Sequence, residues 1–220
     1  MSNPNVKSEV FEQFARIGKA LGSAKRLEML EFLAQAERSV EPLSRMTGLS
    51  VANASQHLQQ LRHAGLVDAR KEGLRVFYRL AGDDIVRLLS ALRAVGQDRL
   101  AEVDRLVRLY FESKDSLEPV PASELMQRAK KGLVTVLDVR PSDEYAAGHI
   151  PGAINVPLAE LKKRMHELPG RQEIVAYCRG PYCLLAFEAV AELRRKGRKA
   201  RRLEDGFPEW RSAGLPVDRA

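Results

Sequence analysis

A chain of 220 residues, 45% hydrophobic and 30% charged, has room for two small domains with a core each. Its net charge of +7 is shared, with 17 Lys/Arg against 14 Asp/Glu in residues 1–113 and 19 against 15 in residues 114–220, so charge alone marks neither half as a polyanion binder. Two neighbouring cysteines exclude an extracellular disulfide scaffold, no apolar run approaches the roughly 20 residues of a membrane span, and the first seven residues lack the features of a signal peptide, so a cytoplasmic protein with no membrane partner is expected.

Apolar residues from Val10 to Phe32 recur at helical spacing over residues 5–33, with Gly22 and Ser23 as a break. A short helix is predicted over 40–47, with Pro42 in its first turn. Gly48, Leu49 and Ser50 form a tight turn, and Ser50 is placed to cap a helix over 51–63 that buries Ala54, Leu58 and Leu61. Gly65 closes that helix. Residues 66–70 and 75–80 then read as a β-hairpin with a charged tip. One long amphipathic helix is predicted over 83–110; its apolar stripe exceeds what a small domain needs, which implies packing on a partner subunit.

The polar stretch 112–121 reads as the boundary between a domain at 1–112 and a second at 116–220. There the pattern changes: a basic helix-like stretch at 122–131 precedes strands at 133–139, 153–156 and 174–177, a helix at 184–195 and a strand at 201–203. Strands alternating with helices indicate an α/β domain with a largely parallel sheet.

In the first half, helix, glycine turn, helix and hairpin make a mainly α winged helix-turn-helix, in which the second helix enters the major groove of double-stranded DNA. That helix offers Ser50, Asn53, Ser55, Gln56 and Gln59 outward; Asn and Gln read adenine in bidentate fashion, and Ser serves base or phosphate. His57 is a further candidate contact, against a solvated or turn-packing role. The hairpin supplies Arg70, Lys71 and Arg75 for the adjacent backbone or minor groove, against the plainer reading of a solvated face.

The segments EPLSRMTGLS (41–50), SQHLQQLRHAGLV (55–67) and VFYRL (76–80) resemble the ArsR-like (SmtB-like) winged-helix repressors over roughly residues 8–108. The resemblance implies a homodimer through the first and last helices of the domain, a palindromic operator, and release of DNA when a signal is bound. Many relatives sense metals through cysteines at the start of the third helix. The matching stretch 38–43 has none, and both histidines of the first half lie in the reading helix, so no metal site or cofactor is expected.

Four segments in order over about residues 116–217 resemble the rhodanese fold: LDVRPSDEY (137–145), GHIPGAINV (148–156), YCRGPYC (177–183) and GFPEW (206–210). The resemblance implies that Cys178 accepts sulfane sulfur as a persulfide and passes it to a nucleophile. Cys178 ends an apolar strand, and the loop after it leads into a helix whose N-terminus favours a thiolate. Arg179 adds positive charge at the mouth that attracts thiosulfate or a polysulfide. Asp138 and Arg140 read as a structural pair beside the site, Glu144 and His149 as fold-supporting, and Trp210 as core. The basic run 194–202 reads as a solvated face or as a contact with DNA or the other domain.

Sulfurtransferase loops end in arginine and a small hydroxyl residue; here those positions are Cys183 and Leu184, which puts efficient thiosulfate:cyanide transfer in doubt. Two placements stand open for Cys183: a redox partner that attacks a Cys178 persulfide, or a small core residue. The leading expectation is a DNA-binding repressor controlled by persulfide or disulfide formation at Cys178, with polysulfide, persulfide or thiosulfate as donor. An active sulfurtransferase attached to the same reading head, and an inert docking or dimerisation domain, are the alternatives.

Overall fold

The computed structural model describes residues 5–112 and 117–220. Two compact units divide between Ile85 and Val86. The polar boundary expected at 112–121 falls partly outside the described residues.

The first unit opens with α1 (Asn5–Leu21) and α2 (Ala24–Gln35), parted at Gly22 and Ser23 as the sequence pattern implies. A two-residue strand β1 (Arg38–Ser39) leads into α3 (Val40–Thr47), and Gly48 ends α3 in the left-handed region at φ 67°. Ser50 caps α4 (Val51–His63), its hydroxyl accepting from the Asn53 N–H at 3.2 Å. Ala54, Leu58 and Leu61 are fully buried, with Met29, Leu30, Leu43 and Tyr78. The hairpin of β2 (Val67–Glu72) and β3 (Arg75–Leu80) pairs Val67 with Leu80 and Glu72 with Arg75, and β1 adds a third antiparallel strand beside β3.

The single helix expected over 83–110 is interrupted. α5 runs Asp84–Arg99, Leu100 leaves helical backbone (φ −109°, ψ 100°), and α6 (Ala101–Val107) continues into a π-helical turn, Arg108–Glu112. The Leu100 carbonyl accepts from Val103 N–H at 2.9 Å and so opens the new helix, whose first turn holds Glu102 and Asp104 against its positive end. The apolar stripe does not register the break because both segments keep the helical period.

In the second unit α7 (Ala122–Lys130) precedes a four-stranded sheet with order β5-β4-β6-β7, all neighbours parallel. Its strands are β4 (Val134–Asp138), β5 (Ile154–Asn155), β6 (Glu173–Tyr177) and β7 (Ala200–Arg202). β4 is buried throughout, as expected of a strand covered on both faces. The connections hold α8 (Ser142–Ala147), α9 (Leu158–Arg164) and α10 (Leu184–Arg195), and α11 (Phe207–Ser212) closes the unit. One core lies around Leu137, Ala176, Val190 and Leu193; the other lies around Leu125, Val175, Phe207 and Trp210. Trp210 is core as expected, its indole N–H donating to the Pro216 carbonyl at 2.7 Å.

The basic run 194–202 is divided: Arg195, Lys196 and Lys199 are exposed, whereas Arg194, Arg198 and Arg201 are partly covered and bound within the fold. Arg194 donates to the Ala200 carbonyl, Arg198 to the Leu168 and Pro169 carbonyls, and Arg201 to Glu173 and Glu124. Arg128 completes this last cluster by pairing with both Glu124 and Glu173.

Burial pushes the Glu173 carboxyl up, but hydrogen bonds from Arg128 and Arg201 outweigh it and leave the group below its ordinary value. Glu124 is lowered by the same two arginines. A carboxylate depressed in the folded state stabilises the fold above its unfolded value and loses that contribution as pH falls through the folded one. Denaturant unfolding followed by Trp210, the sole tryptophan, is therefore expected to lose stability below pH about 4.3, and Glu173→Gln is expected to flatten that loss.

Candidate functional site

The parallel register sets Asp138 beside Tyr177, so the carboxyl ends of β4 and β6 open on the same edge of the sheet, where ligands gather in open α/β folds. Cys178 follows β6 and is 1% exposed. Residues 179–182 form the loop, and Cys183 caps α10, with its own N–H donating to the Gly180 carbonyl at 3.1 Å. The two sulfurs are bonded, across a Cα–Cα distance of 6.1 Å. Both cysteines also belong to the core around Leu137 and Val190. The N-terminus of α10 thus lies at the end of the same short loop that begins at Cys178.

Arg179 does not stand free at the mouth. Its guanidinium grips the fully buried Glu144 carboxylate through Nε and Nη2 at 2.8–3.1 Å. The positive charge expected to attract a sulfur anion is matched by that carboxylate. Glu144 is the partner that sequence reasoning missed, 35 residues away. His149 stacks on Tyr145 with centroids 3.7 Å apart, a packing role.

Asp138 and Arg140 are both fully buried and pair at 2.6 Å, with the Arg140 N–H also donating to Asp138 at 2.9 Å. Arg140 Nη2 donates to the Gly148 carbonyl at 2.8 Å, and the guanidinium lies 4.3 Å from the Phe207 ring centroid. The Phe207 N–H in turn donates to the Cys178 carbonyl at 3.0 Å. The pair supports the loop through Phe207. Burial also pushes the Tyr177 phenol well above its ordinary value, with the Asp138 charge acting in the same direction.

Gly206 packs directly against this loop. A Cβ there would fall on the backbone of Arg179 and Gly180, 2.5 Å from the Arg179 carbonyl oxygen. Its N–H is taken by Glu209 at 3.1 Å, and Glu209 also pairs with Arg93 of α5. These long-range contacts had no local signature beyond the GFPEW segment.

On the reading helix, Ser50, Asn53 and Gln56 are exposed, and Ser55, His57 and Gln59 are partly covered. Gln59 donates to the Tyr78 hydroxyl at 3.3 Å and so ties α4 to the hairpin, while His57 Nδ1 lies 3.5 Å from Arg26. Lys71 and Arg75 are exposed at the hairpin tip. Arg70 is held by Glu37 at 2.7–3.0 Å and by Glu72, hydrogen bonds that keep its guanidinium firmly charged. Among the described residues no cluster of three His, Cys, Asp or Glu side chains forms a metal site, and no helix is long and apolar enough to cross a membrane.

Family comparison agrees with both halves. Residues 23–69 match the family described as bacterial regulatory protein, arsR family, and residues 121–213 match the rhodanese-like domain. The HTH-type transcriptional regulator Rv0324 of Mycobacterium tuberculosis is 48% identical over 212 residues, covering 96% of this chain and 93% of that protein. The biofilm growth-associated repressor of Agrobacterium fabrum is 43% identical over 77 residues, 35% of this chain and 66% of that one. The solution structure of the homodimeric winged helix-turn-helix DNA-binding domain of Mb0332 from Mycobacterium bovis is 42% identical, covers 46% of this chain and 93% of that one, and superposes with a TM-score of 0.42. The chain belongs to the ArsR-family winged helix-turn-helix regulators that carry a C-terminal rhodanese-like domain. It is a DNA-binding regulator of the ArsR type.

Two substitutions test how the loop is held. Gly206→Ala is expected to cost about 1–3 kcal/mol by overpacking against rigid backbone and to slow closure of the Cys178–Cys183 bond, read by thiol counting during mild oxidation. Arg140→Ala leaves Asp138 buried without its counter-ion and is expected to cost about 3–5 kcal/mol, read from the Trp210 unfolding transition.

Proposed function

We propose that this regulator senses reactive sulfur through Cys178 and Cys183. The observation that carries the proposal is the meeting of the two sulfurs across one short loop, in a protein whose reading half contains no cysteine. The Cys178 thiolate attacks the terminal sulfane sulfur of a polysulfide, gaining that sulfur as a persulfide and releasing the shortened polysulfide. The Cys183 thiolate then attacks the Cys178 Sγ; the bond to the outer sulfur breaks, hydrosulfide leaves, and the disulfide forms. Two thiols have lost two electrons, and the sulfane sulfur has taken them as sulfide.

The acid–base balance at the mouth supports a polysulfide over thiosulfate. Arg179 spends its charge on Glu144, and the loop ends in Cys183 and Leu184 without a further arginine. A resolving cysteine also discharges the persulfide before it reaches an external acceptor, which favours a sensor over a sulfurtransferase.

The reading head acts as a homodimer on a palindromic operator. Exposed apolar residues on the first helix (Val10, Phe11, Phe14), and separately on α5 (Leu88, Leu92, Val95), supply surfaces for a second copy to cover. Ser50, Asn53, Ser55, Gln56, His57 and Gln59 read the groove, and Arg70, Lys71 and Arg75 contact the flanking backbone. Repression follows the Agrobacterium relative described as a repressor.

The test is operator binding by the reduced full-length protein at fixed salt, with and without polysulfide, for wild type, Cys178→Ser and Cys183→Ser. Polysulfide is expected to change operator affinity at least tenfold in wild type and to leave Cys178→Ser unmoved. Equal responses in wild type and Cys178→Ser would sink the mechanism. Sustained sulfur transfer to cyanide by wild type would instead favour the enzyme reading.

A further inference from the structure

A cavity of about 400 Å³ lies within the second unit beside the cysteine loop. Its walls include Arg93 and Gln97 of α5, Phe111, Tyr182 of the loop, Phe187 of α10 and Arg202 of β7. The size suits a small organic molecule.

Two of its polar groups have capacity left unused. The Tyr182 hydroxyl is buried and makes no hydrogen bond among the described residues. Among the described residues, Arg93 commits Nη2, to Ser90 and Glu209. Its Nη1 faces the loop, 3.4 Å from where a Gly180 Cβ would lie. The Tyr182 hydroxyl, shut off from water, calls for an acceptor, and the open edge of the partly covered Arg93 guanidinium, whose charge Glu209 balances, can share a carboxylate with it through charge-assisted hydrogen bonds. The remaining wall is aromatic: the Phe111 ring lies 5.0 Å from Phe187 and 5.6 Å from Tyr182, centroid to centroid. Glu204 and Asp205 stand exposed on the rim and disfavour ligands with several negative charges.

The geometry points to a binding site for a singly charged organic carboxylate with a flat apolar body, seated against Tyr182 and Arg93. The site is separate from the sulfur chemistry, since neither cysteine lines it and the proposal stands whether or not Cys178 reacts with polysulfide. Its place on α5 gives it a regulatory position. At 3.6 residues per turn, Leu88, Leu92 and Val95 occupy one stripe of that helix, and Ser90, Arg93, Ala94 and Gln97 lie about 180° around it. The side opposite the ligand is the exposed apolar face assigned to the dimer. A carboxylate held here therefore grips the cysteine loop and the back of the dimer helix together.

Calorimetric titration of the full-length protein with 1-naphthoate, and with the neutral 1-naphthamide of the same shape, tests the site. Saturable binding of naphthoate at one site per chain is expected, with naphthamide about tenfold weaker for want of the charge-assisted bond. Tyr182→Phe keeps the ring and removes only the hydroxyl, and is expected to weaken naphthoate about fivefold; Arg93→Gln is expected to bring naphthoate down to the naphthamide level. No saturable binding overturns the proposal. So does equal affinity for the two probes, or naphthoate affinity unchanged in both variants, because binding would then belong to the exposed apolar helix faces.

Discussion

A charge pair that water never reaches organises the second domain. Taking Asp138 and Arg140 out of solvent costs several kcal/mol per ion, and their mutual attraction offsets this only when every remaining donor and acceptor is met. Here the requirement is met in a way that fixes geometry. Arg140 reaches the Gly148 carbonyl and lies over Phe207, and Phe207 holds the Cys178 carbonyl. An apolar pair of equal volume would fill the space but would leave the turn at Gly148 and the start of α11 without a fixed partner. The pair is better understood as a positioning device than as a source of stability.

The loop that depends on it is bounded by constraints of different kinds. Its first residue is anchored by the carbonyl bond to Phe207, its arginine is held by Glu144, its backbone rests against Gly206, and its last residue begins a helix. Such a loop keeps two sulfurs close without a long search, which is what a resolving thiol needs to compete with external acceptors.

What the sequence made legible was local. The Gly48–Ser50 turn, the serine cap and the hairpin followed from residue type and spacing, and the buried parallel strands from continuous apolar runs. The short helices α8, α9 and α11 span six or seven residues, too few to display a helical period. β1 holds two residues and exists because β3 offers an edge to pair with. The partners of Arg179 and Arg70 lie 35 and 33 residues away, and nothing around either arginine announces them. Charges assigned from sequence to solvent or ligand were in both cases already answered by a carboxylate.

That pattern bears on how the reading head meets DNA. Arg70 can contact a phosphate only by exchanging Glu37 and Glu72 for it, so its contribution to affinity is the difference between two ion pairs rather than the whole of one. On the proposed reading, Lys71 and Arg75, exposed at the tip, carry a larger share of the salt-dependent attraction, because each phosphate neutralised releases counter-ions whatever the sequence beneath. Glu37 lies just after α2 and Glu72 ends β2, so Arg70 joins the hairpin to the helical body of the domain in the absence of DNA. On that reading, binding trades a contact that orients the hairpin for one that orients the operator. On the proposed reading, specificity is left to the uncharged residues of α4, of which Gln59 is tied to Tyr78 and His57 and Gln60 to Arg26, while Asn53 and Gln56 are exposed.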